Sequence, residues 1–174
     1  MGATRLSVFF DGFNVYHSIK AVIDDDLAQG DSVKWLNLAA LSESFFHQIE
    51  ADGRKEISEV HYFSALASHK LEEDSEHVKR HQTYLRALKA VGVQCHLHRF
   101  KKRHRDCKHC GKPVKFHEEK ETDVALAAQL IQVFAQDTAD VAVLVSGDTD
   151  MAPAVRTVFE RSSGVVRIPV QAKE

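Results

Sequence analysis

The chain has 174 residues, 44% hydrophobic and 28% charged, which is the balance of an ordinary globular protein long enough for one core-bearing domain. Its 23 Lys and Arg stand against 25 Asp and Glu, a net charge of −2 that excludes both a uniformly basic nucleic-acid coat and an acidic tail protein. No apolar run approaches the ~20 residues that span a bilayer, and the N-terminus lacks a signal-peptide pattern, so a single cytoplasmic domain over residues 1–174 is expected.

In chain order, Arg5 to Phe10 is apolar at nearly every position, as a buried parallel strand would be, and it breaks at Asp11-Gly12. Phe13 to Ile23 reads as a helix or irregular connection; Asp24 to Asp26 and Gly30 to Ser32 read as loops. Leu38, Leu41, Phe45 and Ile49 recur at helical spacing, which predicts a helix over about 36–49. A strand over 59–66 follows. Ser75 to Val91 is a long amphipathic helix with Gly92 at its C-cap. A third strand is expected over 93–100, and a helix from an N-cap at Thr122 through Ala135. Val141 to Val145 is the clearest buried strand; a helix over about 153–161 and a strand over 165–170 complete the chain. The alternation predicts an α/β fold with a central, mainly parallel sheet.

One segment departs from the rest. Residues 99–120 hold nine Lys and Arg against three acids, so this insertion carries +6 and the remainder of the chain −8. It also holds Cys107 and Cys110 of the three cysteines. Five of the eleven histidines (His96, His98, His104, His109, His117) lie in or beside it.

Asp11 follows the first strand, Asp148 and Asp150 follow the 141–145 strand, and Asp123 opens the helix returning to that strand. A parallel sheet brings all three segments to one carboxyl edge, where such folds bind ligands. Four acids gathered there would repel one another, and a hard divalent cation, Mg²⁺ or Mn²⁺, is the simplest neutraliser.

At these residues the chain resembles a known family. Val8 to His17 (VFFDGFNVYH), Lys120 to Ala127 (KETDVALA) and Val143 to Asp150 (VLVSGDTD) are similar to the signature blocks of NYN domains, more narrowly the LabA-like branch of the PIN-like nucleases. The resemblance implies a PIN-like three-layer α/β/α sandwich and metal-dependent ribonuclease chemistry on RNA. It implies Asp11, Asp123, Asp148 and Asp150 as catalytic metal ligands. Asn14, Ser146 and Lys120 fall on further motif positions that would contact RNA, and dimers occur among such proteins. Tyr16 and His17 are candidates to touch a nucleotide.

Cys107-x-x-Cys110-Gly111 has the form of one zinc knuckle. With His117 and His104 as best-placed partners it makes either a structural Zn²⁺ site or a reduced, metal-free loop. The cations Lys101, Lys102, Arg103 and Arg105 suit an RNA backbone, because the insertion should emerge at the same rim as the acids. Two functions follow: a Mg²⁺- or Mn²⁺-dependent endoribonuclease cutting single-stranded or structured RNA, or an idle RNA- or protein-binding module that works through the basic insertion.

Overall fold

The computed structural model describes residues 2–24, 35–51, 53–66, 75–159 and 165–168. Six strands form one sheet in the order β4-β3-β2-β1-β5-β6: β1 (Thr4–Asp11), β2 (Lys55–Ala65), β3 (Gln94–Asp106), β4 (Pro113–Lys120), β5 (Val141–Val145) and β6 (Val165–Ile168). Every neighbouring pair is parallel except β3 with β4.

Alternation along each strand divides the core in two. Leu6, Val8 and Phe10 of β1 and Val143 of β5 face α1 (Gly12–Asp24), α2 (Leu38–Glu43) and α3 (Ser75–Ala90). Phe9, Phe63, Ala142 and Leu144 face α4 (Thr122–Ala135) and α5 (Ala152–Phe159). The result is the expected three-layer α/β/α sandwich. Phe9, Phe10, Leu126, Leu130 and Leu144 are buried completely or almost so, each contributing about 1.5–3 kcal/mol by leaving water.

Local signals explain the helix ends. The Asn37 side chain accepts from Ala40 N–H to start α2, which tightens after Glu43 into a 3₁₀ turn, Ser44–Gln48. Gly92, at φ 85°, closes α3: its N–H donates to Lys89 O while Val93 N–H donates to Leu88 O, and both orphan carbonyls are satisfied. Thr122 is not the N-cap of α4. Glu121 occupies that position at φ 77°, and the Thr122 hydroxyl turns back to Glu119.

The insertion is a β-arm. β3 pairs with β2 only over Gln94 to His98, then runs on for eight residues, Arg99 to Asp106, paired with β4 alone. It leaves the sheet at the carboxyl edge. The segment expected as a loop is therefore ordered by strand pairing, which its charged composition concealed. The loops expected at Asp25 to Asp26 and Gly30 to Ser32, and the tails of the last helix and strand, lie outside the described residues.

Candidate active site at the carboxyl rim

β1 is the centre from which the parallel strands run outward, β2 and β3 to one side and β5 and β6 to the other. The crevice between β1 and β5 is the topological switch point. Phe10 registers with Val145, so Asp11 and Ser146 leave their strands side by side. Asp11 is 4% exposed. Its Oδ2 accepts from Ser146 Oγ at 2.9 Å and from Asn14 Nδ2 at 2.5 Å, and its Oδ1 accepts from Asn14 N–H at 3.1 Å. Neutral donors from two elements thus fix a buried carboxylate.

Ser146 also accepts the Asp148 N–H at 3.0 Å, which ties the loop after β5 to Asp11. Asp148 Oδ1 accepts the Asp150 N–H at 2.8 Å and caps the short turn Thr149–Met151. Asp123 sits in the first turn of α4 and reaches solvent. Its carboxyl is nonetheless pushed above the ordinary range, by burial first and then by the charges of Asp11, Asp148 and Asp150. The four acids expected from the sequence share one electrostatic field.

A fifth acid joins them. Glu119, the penultimate residue of β4, is half-buried and accepts the Thr122 hydroxyl at 2.6 Å. Burial pushes its carboxyl up, the Thr122 hydrogen bond opposes this, and the charges of Asp11 and Asp123 add to it. Strand alternation would have found Glu119: β4 puts Glu118 and Lys120 on one side, where they pair at 2.7 Å, and Glu119 on the other.

Gly12 has a steric reason to follow Asp11. A Cβ there would lie 2.6 Å from Phe63 O and 2.7 Å from the Tyr62 ring. That ring is buried beside the site, and burial pushes its hydroxyl up to about 12.

Two of the five clustered histidines belong to the sheet rather than the arm. His96 Nε2 lies 3.1 Å from Nδ1 of the fully buried His61, whose Nε2 is 3.3 Å from Glu59 Oε2. Phe9 stacks on His61 and Phe63 on His96, and burial lowers both imidazoles, which keeps them neutral near pH 7. His98 continues this row toward Glu119, and its Nε2 is buried with no hydrogen-bond partner among the described residues.

Lys101, Lys102, Arg103 and Arg105 line the exposed arm. Arg103 Nε donates to Glu118 at 3.2 Å, and the Arg105 guanidinium lies 5.1 Å from the Phe116 ring centre. Lys120 is engaged by Glu118 instead of pointing at the acids. Cys107 and Cys110 lie at the arm tip, whereas His104 is opposite Lys115 and His117 opposite Lys102, farther back along the ladder. The expected four-ligand zinc set is not gathered in one chain among the described residues. On α1, beside Asp11, Phe13 (54% exposed) and Tyr16 (47% exposed) flank His17, with ring centres 4.3 and 5.4 Å from the imidazole.

No three of the described His, Cys, Asp or Glu side chains stand close enough to hold an ion directly. The acidic rim still suits Mg²⁺ or Mn²⁺. Its donors are all oxygen, its charges are gathered, and Mg²⁺ keeps several of its waters while taking only one or two carboxylates.

This doubly wound sheet with acids at its switch point has the architecture of a PIN-like α/β fold. The chain belongs to the NYN domain family, which matches residues 5–172 and is a family of PIN-like nucleases. The crystal structure of VPA0982, a protein of unknown function from Vibrio parahaemolyticus, is similar in fold. Its TM-score is 0.55 at 18% identity, covering 95% of this chain and 93% of that one. No curated protein matches the chain. No helix among the described residues is long and apolar enough to cross a membrane.

Proposed function

We propose that this chain is a Mg²⁺- or Mn²⁺-dependent endoribonuclease of the cytoplasm, of the LabA-like kind, hydrolysing phosphodiester bonds in single-stranded or structured RNA. The observation that carries this reading is Asp11, clamped by Asn14 and Ser146 at the switch point and facing Asp123 in a field of further acids. Asp11, Asp123, Asp148 and Asp150 would hold the cation, one or two of them directly and the others through its waters. When bound, it supplies Lewis-acid activation of water and charge neutralisation at the scissile phosphate.

The chain's own groups do the positioning. Asn14 and Ser146 hold the buried Asp11 carboxylate in place, and the Ser146–Asp148 hydrogen bond sets the loop that carries Asp148. Lys101, Lys102, Arg103 and Arg105 offer phosphate contacts along an arm that starts at the same rim. Phe13 and Tyr16 present exposed rings, with the half-buried His17 between them, on which unpaired bases stack.

The test is cleavage of labelled single-stranded RNA with Mg²⁺, with Mn²⁺ and with EDTA, beside Asp148→Asn. Cleavage that requires metal and disappears in the variant is expected. RNA binding without metal-dependent cleavage would replace this reading with the idle RNA-binding module.

A further inference from the structure

The two cysteines of the arm play no part in the acidic site, yet the arm tip is shaped around them. Cys107 N–H donates to Lys112 O and Gly111 N–H donates to Cys107 O, each at 2.8 Å, and Gly111 adopts φ 67°. That left-handed turn favours glycine. It aims the backbone N–H groups of His109 and Cys110 at the Cys107 sulfur and brings the Cys110 thiol within hydrogen-bond reach of it. A tight turn that sets one thiol beside a second three residues on supplies half of a tetrahedral thiolate site.

Among the described residues the other half is not in reach. His104 and His117 lie along the ladder, His117 about 13 Å from the Pro113 end of β4 at strand rise. Cys95 lies at the other end of β3, packed against the α1–α3 core. No described group of three His, Cys, Asp or Glu forms around the tip. The arm extends eight residues, about 26 Å, past its last pairing with β2, and residues 101–106 and 113–115 are all exposed. A two-stranded ribbon of this kind is marginal alone. The links described along it, Arg103 with Glu118 and Arg105 with Phe116, lie behind the tip.

We infer that the arm tip is half of a structural zinc site, completed by Cys107 and Cys110 of a second copy of this chain. A structural zinc ion takes four ligands and leaves no open position, which two identical knuckles supply by symmetry. Charge agrees. Each tip carries Arg105, Lys108 and Lys112 beside the single acid Asp106, so bare tips repel. Zinc with four thiolates is an anionic centre between those two sets of cations, and it reverses the repulsion.

The experiment is a titration of the reduced, metal-free full chain with Co²⁺ and Zn²⁺, followed by absorbance and by light scattering on a sizing column. The expected result is one ion per two chains, strong thiolate-to-cobalt absorption, and a mass that doubles with metal and reverts with EDTA. Cys107→Ser and Cys110→Ser abolish all three signals, while His104→Ala and His117→Ala leave them intact and guard against a variant that merely unfolds the arm. One ion per chain at monomer mass, loss of binding in either histidine variant, or no thiolate–cobalt absorption would each overturn the inference. The readout is metal and mass, so it stands or falls separately from RNA cleavage.

Discussion

The two ends of β1 carry opposite electrostatic solutions. At its start, Arg5 meets Asp140 through Nε at 3.1 Å and Nη2 at 2.8 Å, its backbone N–H also reaches Asp140, and the guanidinium takes in Asp137 as well. The Arg5 hydrogen bonds hold the Asp140 carboxyl below its ordinary range. Six residues later, Asp11 is buried against the neutral donors Asn14 and Ser146, and burial first, then the charges gathered there, push Asp123 and Glu119 upward. One end joins the β5 approach to the sheet by matched charge. The other stores unmatched charge in a crevice. Folding alone favours the first arrangement, and the second is what the proposed cation site would require.

Four substitutions test this contrast. Asp148→Asn keeps the cap on Asp150 and removes a charge from the rim; RNA cleavage should fall at least about 100-fold, read by initial rates, with Tm nearly unchanged. Gly12→Ala drives a Cβ into Phe63 O and the Tyr62 ring. It should cost about 2–3 kcal/mol and lower Tm by roughly 5–10 °C, measured by calorimetry.

Asp140→Asn should lower Tm by a few degrees at neutral pH with cleavage intact. Because the folded Asp140 titrates below its ordinary 3.8, its contribution is present above that pH and is lost as pH falls through the depressed value. Wild type should therefore lose more stability on acidification below about pH 4 than the variant. Asp123→Asn should act in the opposite sense, raising Tm by about 1–3 °C at pH 7 in EDTA while abolishing cleavage. Asp123 titrates above 3.8 when folded, so its penalty is present at neutral pH and fades as pH falls through that raised value. The variant's lead should shrink accordingly.

The elements with strong hydrophobic periodicity were readable from the chain. Val141 to Val145 had to be a buried strand, and Val78, Leu85 and Leu88 with Gly92 marked α3 to within a residue. The acids were readable because topology alone carries strand ends and a returning helix to one edge. β4 was not, since half of Pro113 to Lys120 is charged, none of it is buried, and its apolar alternation is confined to Val114 and Phe116. Missing that strand hid Glu119, whose inward direction depends on the pairing of Phe100 with Glu119. It also merged two groups of histidines: His96 and His98 lie on the sheet face that carries His61, while His104, His109 and His117 belong to the arm. Thr122 looked like a cap because Thr is a favoured N-cap residue; the side chain of Glu119, three residues earlier, claimed its hydroxyl.

The most direct measurement sets Asp148→Asn beside Asp140→Asn, scoring both for Mn²⁺-dependent cleavage of labelled RNA and for Tm. The account predicts a crossed result: Asp148→Asn keeps its Tm and loses cleavage, while Asp140→Asn loses Tm and keeps cleavage at temperatures where it is folded. Wild-type cleavage by Asp148→Asn would contradict it.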